Sequence, residues 1–402
     1  MKKIDLSIDY CGVKFKNPFC LSSSPVAASY DMVSRAFDTG WGGVFYKTLG
    51  LALKVVHPSP RLNAYHVEEK RVAGLQNVEQ ISDRPLSDEL KDITAIKKRY
   101  PSHAVVVSIM GFTKDDWAEL AERVEGAGAD MLELNFSCPQ MAQEGTGTAV
   151  GKDEALIELF TRSCKRVVNI PVVAKMTPNV TDMVPLAMAA KRGGADGVSA
   201  INTIRSITGI DVDKFVTLPN VDGKSIISGY SGASVKPIAL RFVAEMAQDL
   251  NLKIPISGIG GIYTWLDAVQ FLLVGARTIQ VTTGIMQYGY RIVEDMIEGM
   301  TDYLADRGFS SPEEIVGLAL RNLVTPSDLN HGVEAKSQID LDKCVNCGQC
   351  YITCMDGGHQ AIEFKSDRKP VVDEEKCVGC LMCSFICPVW DCITYKMVER
   401  AV

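Results

Sequence analysis

The sequence has no long hydrophobic run, no excess of basic residues and no glycine-rich nucleotide-binding motif. No stretch approaches the ~18 consecutive apolar residues of a membrane span, although 47% of the 402 residues are hydrophobic. A net charge of −7 argues against a nucleic-acid surface. The first residues, MKKIDLSIDY, carry Asp5 and Asp9 where a secretory signal would be apolar. We therefore expect a cytoplasmic globular protein, in which cysteines act as metal or redox ligands rather than as disulfides.

A repeated pattern of helix, glycine and strand runs from residue 18 to residue 306. Its joints read DTGWGGVFYKT, GAGADMLELNFS, RGGADGVSAINT and LVGARTIQVTTG. Glycine supplies a left-handed helix cap, and the apolar run that follows suits a strand buried on both faces. Eight strands are predicted, at 18–24, 43–48, 104–110, 131–137, 171–177, 197–203, 255–261 and 278–284. We expect residues 1–306 to form a closed (β/α)8 barrel, because the competing doubly wound sheet would carry an early dinucleotide fingerprint.

Polar or small residues close seven of these eight strands. They are Ser23, Lys47, Thr48, Asn135, Ser137, Lys175, Asn202, Thr203, Gly260, Gly261, Thr282 and Thr283. In a barrel the C-terminal strand ends converge on one face, where the active site is built. The segments SGIGGI and VTTGI follow the last two strands, at the usual phosphate site of such barrels. Tight packing of a turn would also explain the glycines alone, but their position favours phosphate binding.

Eight of the 13 cysteines form two arrays near the C-terminus. Both arrays have the spacing C-x2-C-x2-C-x3-C of a bacterial ferredoxin with two 4Fe–4S clusters. Because the last cysteine of each array crosses to the other cluster, the predicted ligand sets are Cys344, Cys347, Cys350 and Cys387 for cluster one, and Cys377, Cys380, Cys383 and Cys354 for cluster two. Zinc is the weaker alternative, since the third and fourth cysteines of an array have no place in a zinc knuckle. We predict a ferredoxin-like domain at 341–402 and a helical linker at 307–340.

Cys138 stands apart from these arrays, at the end of the fourth predicted strand in ELNFSCPQMAQEG. The remaining cysteines, Cys11, Cys20, Cys164 and Cys392, are interpreted as small buried hydrophobes.

The two halves of the chain together suggest a flavin. Iron–sulfur clusters pass single electrons, and a flavin can exchange one-electron for two-electron chemistry, while FMN brings the phosphate that the barrel site would bind. The asparagines and threonine at the strand ends, together with Asn77 in GLQNVE, suit a neutral ring that bears amide groups. A carboxylate would favour arginine, and none stands at these strand ends.

The segments KTLG, GLQNVE, ELNFSCP, AKMTPN, AINT, GYSG and SGIGG, followed by the twin cysteine arrays, resemble the dihydropyrimidine dehydrogenases over nearly the whole chain. The resemblance is to the pyrimidine-binding part of the bacterial two-subunit type, in which the loop that begins at this cysteine reads CPQM. It implies NADH-driven reduction of uracil and thymine, with FAD and the nicotinamide site on a partner subunit in a heterotetramer of two of each chain.

By position, the resemblance implies that Cys138 is the catalytic acid–base and that the pyrimidine contacts are Asn77, Asn135, Asn202 and Thr203. The implied FMN contacts are Ser23, Lys47, Thr48, Lys175, Gly232, Gly260, Gly261, Thr282 and Thr283. Dihydroorotate dehydrogenase is the alternative enzyme, although its substrate carries a carboxylate and its chain lacks twin clusters. A pure electron-transfer module with the barrel as scaffold is a third possibility, but it does not explain the polar residues at the strand ends.

Overall fold

The computed structural model describes residues 4–51, 56–68, 70–137, 147–364 and 366–400. They fall into two compact units, residues 1–322 and 323–402. The division lies within the segment 307–340, which was predicted to be a helical linker but contains short 3-10 turns and the strand Val333–Ile339. The boundaries predicted at 306 and 340 remain predictions. No helix in the described ranges is long and apolar enough to span a membrane.

Eight parallel strands close into a barrel in the first unit, which confirms the predicted fold. In chain order they are Phe19–Leu21, Gly43–Leu49, Ala104–Ile109, Met131–Asn135, Val172–Lys175, Gly197–Ala200, Ile256–Ile259 and Ala276–Val281. We number them as the first to the eighth barrel strand. Each strand pairs with its neighbours in sequence, and the eighth pairs with the first through Ile279 and Phe19. Nearly every residue of these strands is buried, as the unbroken apolar runs predict.

Helices alternate with the strands. They are Tyr30–Thr39, Leu86–Arg99, Lys114–Gly126, Glu154–Lys165, Val184–Gly193, Lys236–Gln248, Trp265–Leu273, Thr283–Tyr288 and Ile292–Asp306. Short 3-10 turns lie at Pro25–Ala27, Gly147–Lys152, Ala233–Val235, Pro312–Ile315 and Leu320–Asn322. The four glycines at the predicted joints, Gly40, Gly128, Gly194 and Gly275, all have positive φ. The left-handed glycines that end the helices at these four joints were therefore predicted correctly.

Smaller sheets lie at the two ends of the barrel. A hairpin of Ile8–Tyr10 and Val13–Phe15 lies at the N-terminal strand ends, where the Tyr10 hydroxyl packs near Gly197. An antiparallel sheet in the order Ile204–Ser206, Ser228–Ser231, Arg71–Asn77 and Leu62–Val67 brings together loops that follow the second and sixth barrel strands. A further short pair is Ile210–Asp211 with Val216–Thr217. The four-stranded sheet matters for function, because its residues reach the site described below.

The described part of the second unit is a small domain built around two helices and two antiparallel two-stranded sheets. Val333–Ile339 pairs with Ile393–Glu399, and Ile362–Phe364 pairs with Pro370–Val372. The helices are Gln349–Gly357 and Met382–Ile386, and a 3-10 turn lies at Pro326–Asp328. Its buried centre consists largely of cysteines and isoleucines, including Cys350, Cys383 and Ile393. So small an apolar core is consistent with a domain that metal clusters stabilise.

Candidate active site and cluster-binding cavities

One large cavity lies at the C-terminal ends of the barrel strands, with about 1130 Å³ of space including its open mouth. Leu62, Asn77 and Tyr230 of the four-stranded sheet line it from above. The structure brings all the described residues of the predicted site together on its wall: Ser23, Lys47, Thr48, Asn77, Asn135, Lys175, Asn202, Thr203, Gly232, Gly260, Gly261, Thr282 and Thr283. A cavity of this size has room for a cofactor and a small substrate together.

A continuous row of amides and hydroxyls crosses the cavity floor. Asn135 donates from Nδ2 to Thr48 Oγ1 at 2.9 Å, and its Oδ1 accepts from the Ser137 backbone N–H and hydroxyl at 3.2 and 3.0 Å. Asn202 donates from Nδ2 to Ser137 Oγ at 2.7 Å. Ser137 thus links two predicted pyrimidine contacts, a role that was not predicted from the sequence. Its place two residues after Asn135 was the available signal.

Two polar atoms on the cavity wall, Thr203 Oγ1 and Gln280 Oε1, are buried and have no hydrogen-bond partner among the residues that the structure describes. Buried polar atoms are normally paired, so each is explained if it bonds to a ligand. Asn77 donates from Nδ2 to the Gly229 carbonyl at 3.3 Å, which fixes its side chain on the sheet above the cavity. These features fit an amide-bearing ligand and a flavin.

Lys175 shares the barrel interior with Glu133, a carboxylate that is 0% exposed. Lys175 Nζ lies 3.5 Å from Glu133 Oε1 and donates to Ser23 Oγ at 2.8 Å. Glu133 also accepts from Ser23 at 2.7 Å and from Ser199 at 2.8 Å. Burial of a lone charge is costly, so the two charges depend on one another. Sequence analysis missed Glu133, although it lies two residues before Asn135 on the same strand face.

Lys47, the other predicted flavin-contacting lysine, also has a carboxylate partner. Its Nζ lies 2.6 Å from Glu79 Oε1, and both side chains are largely buried. Arg61 lies 3.5 Å from the same Glu79 oxygen but is much more exposed. Glu79 comes from GLQNVE, two residues after Asn77. The loop after the second barrel strand therefore supplies both an amide and a counter-charge to the cavity.

The predicted phosphate-binding segments also meet at this cavity. Gly261 has a φ of +72°, and a Cβ there would lie 2.7 Å from Lys236 Cβ and 2.9 Å from the Gly232 carbonyl oxygen. Only glycine fits this close approach of two loops. Thr283 donates to Ser231 Oγ at 2.9 Å. The closely packed loops and adjacent hydroxyls form a concave cradle that a phosphate would fit.

Cys138, the predicted acid–base, lies outside the described residues, as does the rest of 138–146. Before it, the fourth barrel strand ends at Asn135, and Phe136 and Ser137 are buried beside the cavity. The role of Cys138 stays a prediction.

The eight array cysteines line two separate cavities in the second unit. One has about 330 Å³ of space and contains Cys344, Cys347, Cys350 and Cys387, and the other has about 360 Å³ and contains Cys354, Cys377, Cys380 and Cys383. These are the two crossed sets that the spacing predicts. Among the described residues no three potential ligands stand close enough to hold one metal ion directly. In a 4Fe–4S cluster each thiolate binds a different iron, so wider spacing is expected.

Further groups surround the cysteine sulfurs. Asn346 N–H donates to Cys344 Sγ at 3.4 Å, and Ala361 N–H donates to Cys354 Sγ at 3.3 Å. Burial raises the pKa of Cys350 to about 11, so iron binding must displace its proton. Cys392, interpreted above as a small hydrophobe, is indeed buried but also lines the cavity of cluster one.

Comparison with known proteins agrees with this division of the chain. The dihydroorotate dehydrogenase family profile matches residues 5–304, and a 4Fe-4S dicluster domain profile matches residues 337–395. The chain is 54% identical to the NAD-dependent dihydropyrimidine dehydrogenase subunit PreA of Escherichia coli K12, over 96% of this chain and 94% of that protein. The chain belongs to the dihydropyrimidine dehydrogenase family. The predicted family, enzyme class and cluster domain are thereby confirmed.

Two other relatives show how widely the barrel is shared. The chloroplastic dihydropyrimidine dehydrogenase (NADP(+)) of Arabidopsis thaliana is 40% identical over 81% of this chain and 79% of its own length. The catalytic subunit of dihydroorotate dehydrogenase B (NAD(+)) from Pyrococcus abyssi is 39% identical over 79% of this chain and 99% of its own. Membership of this oxidoreductase family supports a flavin in the barrel and iron–sulfur clusters in the second unit. The word subunit in the name of the E. coli relative implies a partner chain there.

Proposed function

We propose that the chain reduces uracil and thymine to 5,6-dihydrouracil and 5,6-dihydrothymine, with electrons that pass from NADH through iron–sulfur clusters to FMN. The observation that carries the proposal is the row of amides and hydroxyls from Thr48 to Asn202 on the floor of the barrel cavity. Such a row offers alternating donors and acceptors to the edge of a flat, neutral ring.

The proposed pyrimidine contacts are Asn77, Asn135, Asn202 and Thr203. Uracil presents two carbonyl acceptors and two N–H donors, which carboxamide and hydroxyl groups complement. No arginine is among the described residues that line the cavity. Because arginine is the usual partner of a carboxylate, the wall favours a neutral ring over a carboxylated one.

The proposed FMN contacts are Ser23, Lys47, Thr48, Lys175, Gly232, Gly260, Gly261, Thr282 and Thr283. A bound FMN would supply the hydride that adds to C6 of the pyrimidine. Lys175 would hold positive charge beside the flavin ring, where negative charge develops on reduction. The glycines would let backbone N–H groups approach the phosphate at the cradle between Gly232 and Gly261.

Cys138 is the proposed proton donor to C5. A thiol with an ordinary pKa near 8.5 is protonated at neutral pH and can transfer its proton to a developing carbanion. The loop that follows, QEGTGTAVG, is rich in glycine and has the composition of a lid that closes over a substrate.

We further propose a partner subunit that holds FAD and the NADH site, in a heterotetramer of two of each chain in the cytoplasm. The CPQM sequence at 138–141 and the lack of a nucleotide fingerprint support this assignment. Rapid reduction of uracil by NADH with the purified chain alone would contradict it.

Dihydroorotate dehydrogenase remains the second candidate, because its family profile covers the barrel. Equilibrium titration of the purified, FMN-loaded chain separates the two functions. We expect uracil to bind and orotate, which carries a carboxylate, to bind at least about tenfold more weakly, because no arginine is among the described lining residues and the two lysines there, Lys47 and Lys175, already lie beside Glu79 and Glu133. Tight orotate binding without uracil binding would favour the second candidate.

A further inference from the structure

The strand Val333–Ile339 presents different side chains to the two cluster cavities. Ser337 lines the cavity of Cys354, Cys377, Cys380 and Cys383, whereas Ile339 lines the cavity of Cys344, Cys347, Cys350 and Cys387. The two residues are two positions apart and therefore lie on one face of the strand. Neither belongs to a cysteine array, so the difference is independent of the cluster motif itself.

Ser337 is in direct contact with a predicted ligand. Its hydroxyl lies 3.3 Å from Cys383 Sγ, within hydrogen-bonding distance for sulfur, and the residue is 4% exposed. When Cys383 binds iron it has lost its proton, so the hydroxyl is the only member of this pair that can donate. Next to it, Lys336 is buried, with its ammonium 2.7 Å from the Cys377 carbonyl and 2.8 Å from Glu334.

The cavity of cluster one has no matching hydroxyl donor among the described residues that line it. Backbone N–H groups donate to cysteine sulfurs in both cavities: those of Asn346 and Tyr351 to Cys344 and Cys350 in cluster one, and those of Ala361 and Ser384 to Cys354 and Cys383 in cluster two. Cluster one also has the Cys392 thiol, which is hydrogen-bonded to Cys344 and Cys387 and donates to the Asp340 carbonyl at 3.5 Å. An S–H group is a weaker donor than a hydroxyl. Two other side chains also differ: Asn346 Oδ1 lies 3.7 Å from Cys344 Sγ in cluster one, and the Lys336 ammonium lies near Cys377 in cluster two. The clearest difference in hydroxyl donors to a ligand sulfur is Ser337 against Ile339.

We propose that the Ser337 hydroxyl raises the reduction potential of cluster two above that of cluster one, so that an electron in this domain resides preferentially on cluster two. Hydrogen bonds to the sulfurs stabilise the reduced, more negative state of an iron–sulfur cluster. The inference rests on the proposed cluster ligands. It assigns Ser337 to the control of electron flow, although it binds neither iron nor substrate.

The test is a redox titration of the full, cluster-loaded chain, monitored by electron paramagnetic resonance. Ser337→Ala is expected to lower the higher of the two midpoint potentials and leave the lower one unchanged. Loss of one hydrogen bond changes the reduction equilibrium by about tenfold at most, which is about 59 mV for a one-electron couple. Ser337→Thr keeps the hydroxyl and is expected to retain the wild-type potentials.

Ser384→Ala is the matched control, because Ser384 adjoins Cys383 but donates to the Ile393 carbonyl at 2.9 Å. The reciprocal change Ile339→Ser places a hydroxyl in the cavity of cluster one and is expected to raise the lower of the two midpoint potentials. If Ser337→Ala fails to assemble its cluster, this variant tests whether a hydroxyl on this strand raises the potential of the adjacent cluster. Two clusters with unchanged potentials in both variants would overturn the inference alone. A wild-type chain without two clusters would contradict the ligand sets and the inference together.

Discussion

Replacement of Glu133 by glutamine should destabilise the barrel unit by removing one charge of a buried ion pair. Glu133 is 0% exposed and Lys175 is 4% exposed, with Nζ and Oε1 3.5 Å apart. Glutamine keeps the size of the side chain and can still bond to Ser23 and Ser199, so the change isolates the charge. Breaking a buried pair by removing one partner costs about 3–5 kcal/mol. Because the two serine contacts survive, we expect about 3 kcal/mol.

Urea denaturation of the full chain, followed by tryptophan fluorescence, measures this effect. Trp41 and Trp117 are buried in the barrel and report on its unfolding. With a slope of about 3 kcal/mol per molar urea, a loss of about 3 kcal/mol lowers the midpoint by about 1 M. Glu122→Gln is the control, since Glu122 is an exposed carboxylate on a barrel helix and should change stability by less than about 0.5 kcal/mol.

The double variant Glu133→Gln, Lys175→Met removes both charges and is expected to recover most of the lost stability, because an apolar replacement of a buried pair is often tolerated. If Glu133→Gln denatured at the wild-type midpoint, the Glu133–Lys175 pair would contribute nothing to stability, and the argument for a charge-dependent barrel interior would be wrong.

Three further predictions concern catalysis, binding and pH. Cys138→Ala should retain FMN, clusters and uracil binding but lose turnover by roughly 10²–10⁴-fold; near wild-type turnover would make Cys138 a packing residue. Asn202→Ala removes the amide that donates to Ser137 and should weaken uracil binding about tenfold or more with flavin still bound; unchanged affinity in a uracil titration would remove Asn202 from the site. Burial, reinforced by Lys16, lowers the pKa of His103 to about 4. Between about pH 6.5 and 4, His103 therefore binds a proton in the unfolded chain but not in the folded chain, so the free energy of unfolding falls as the pH is lowered. His103→Phe should flatten that fall in urea midpoints measured across this range, and an unaltered slope would show that other groups cause it.

The barrel and the cluster domain were predictable because their signals are local. A glycine cap before an apolar run, or four cysteines at fixed spacing, can be identified within about a dozen residues. Gly40 and Gly194 have the expected positive φ, and each predicted set of four cysteines lines one cavity. The family resemblance then named flavin and pyrimidine contacts that the structure brings to one cavity, whereas Cys138 lies outside the described residues.

What the sequence did not predict depends on pairing between distant segments. Glu133 meets Lys175 and Ser199 only because the fourth, fifth and sixth barrel strands are neighbours. The sheet over the cavity joins Arg71–Asn77 to Ser228–Ser231, about 150 residues away in sequence. Ser337 lies in the segment predicted as a helical linker, where the structure instead has a strand in contact with a cluster ligand. No local periodicity identifies such partners.

The most direct test of the proposed reaction is a single turnover without the partner subunit. The purified chain, loaded with FMN and iron–sulfur clusters and reduced chemically in the absence of oxygen, is mixed rapidly with uracil or orotate. We expect uracil to reoxidise the flavin and to appear as 5,6-dihydrouracil in an amount that matches the electrons consumed, while orotate leaves the flavin reduced. Flavin reoxidation by orotate but not by uracil would contradict the account.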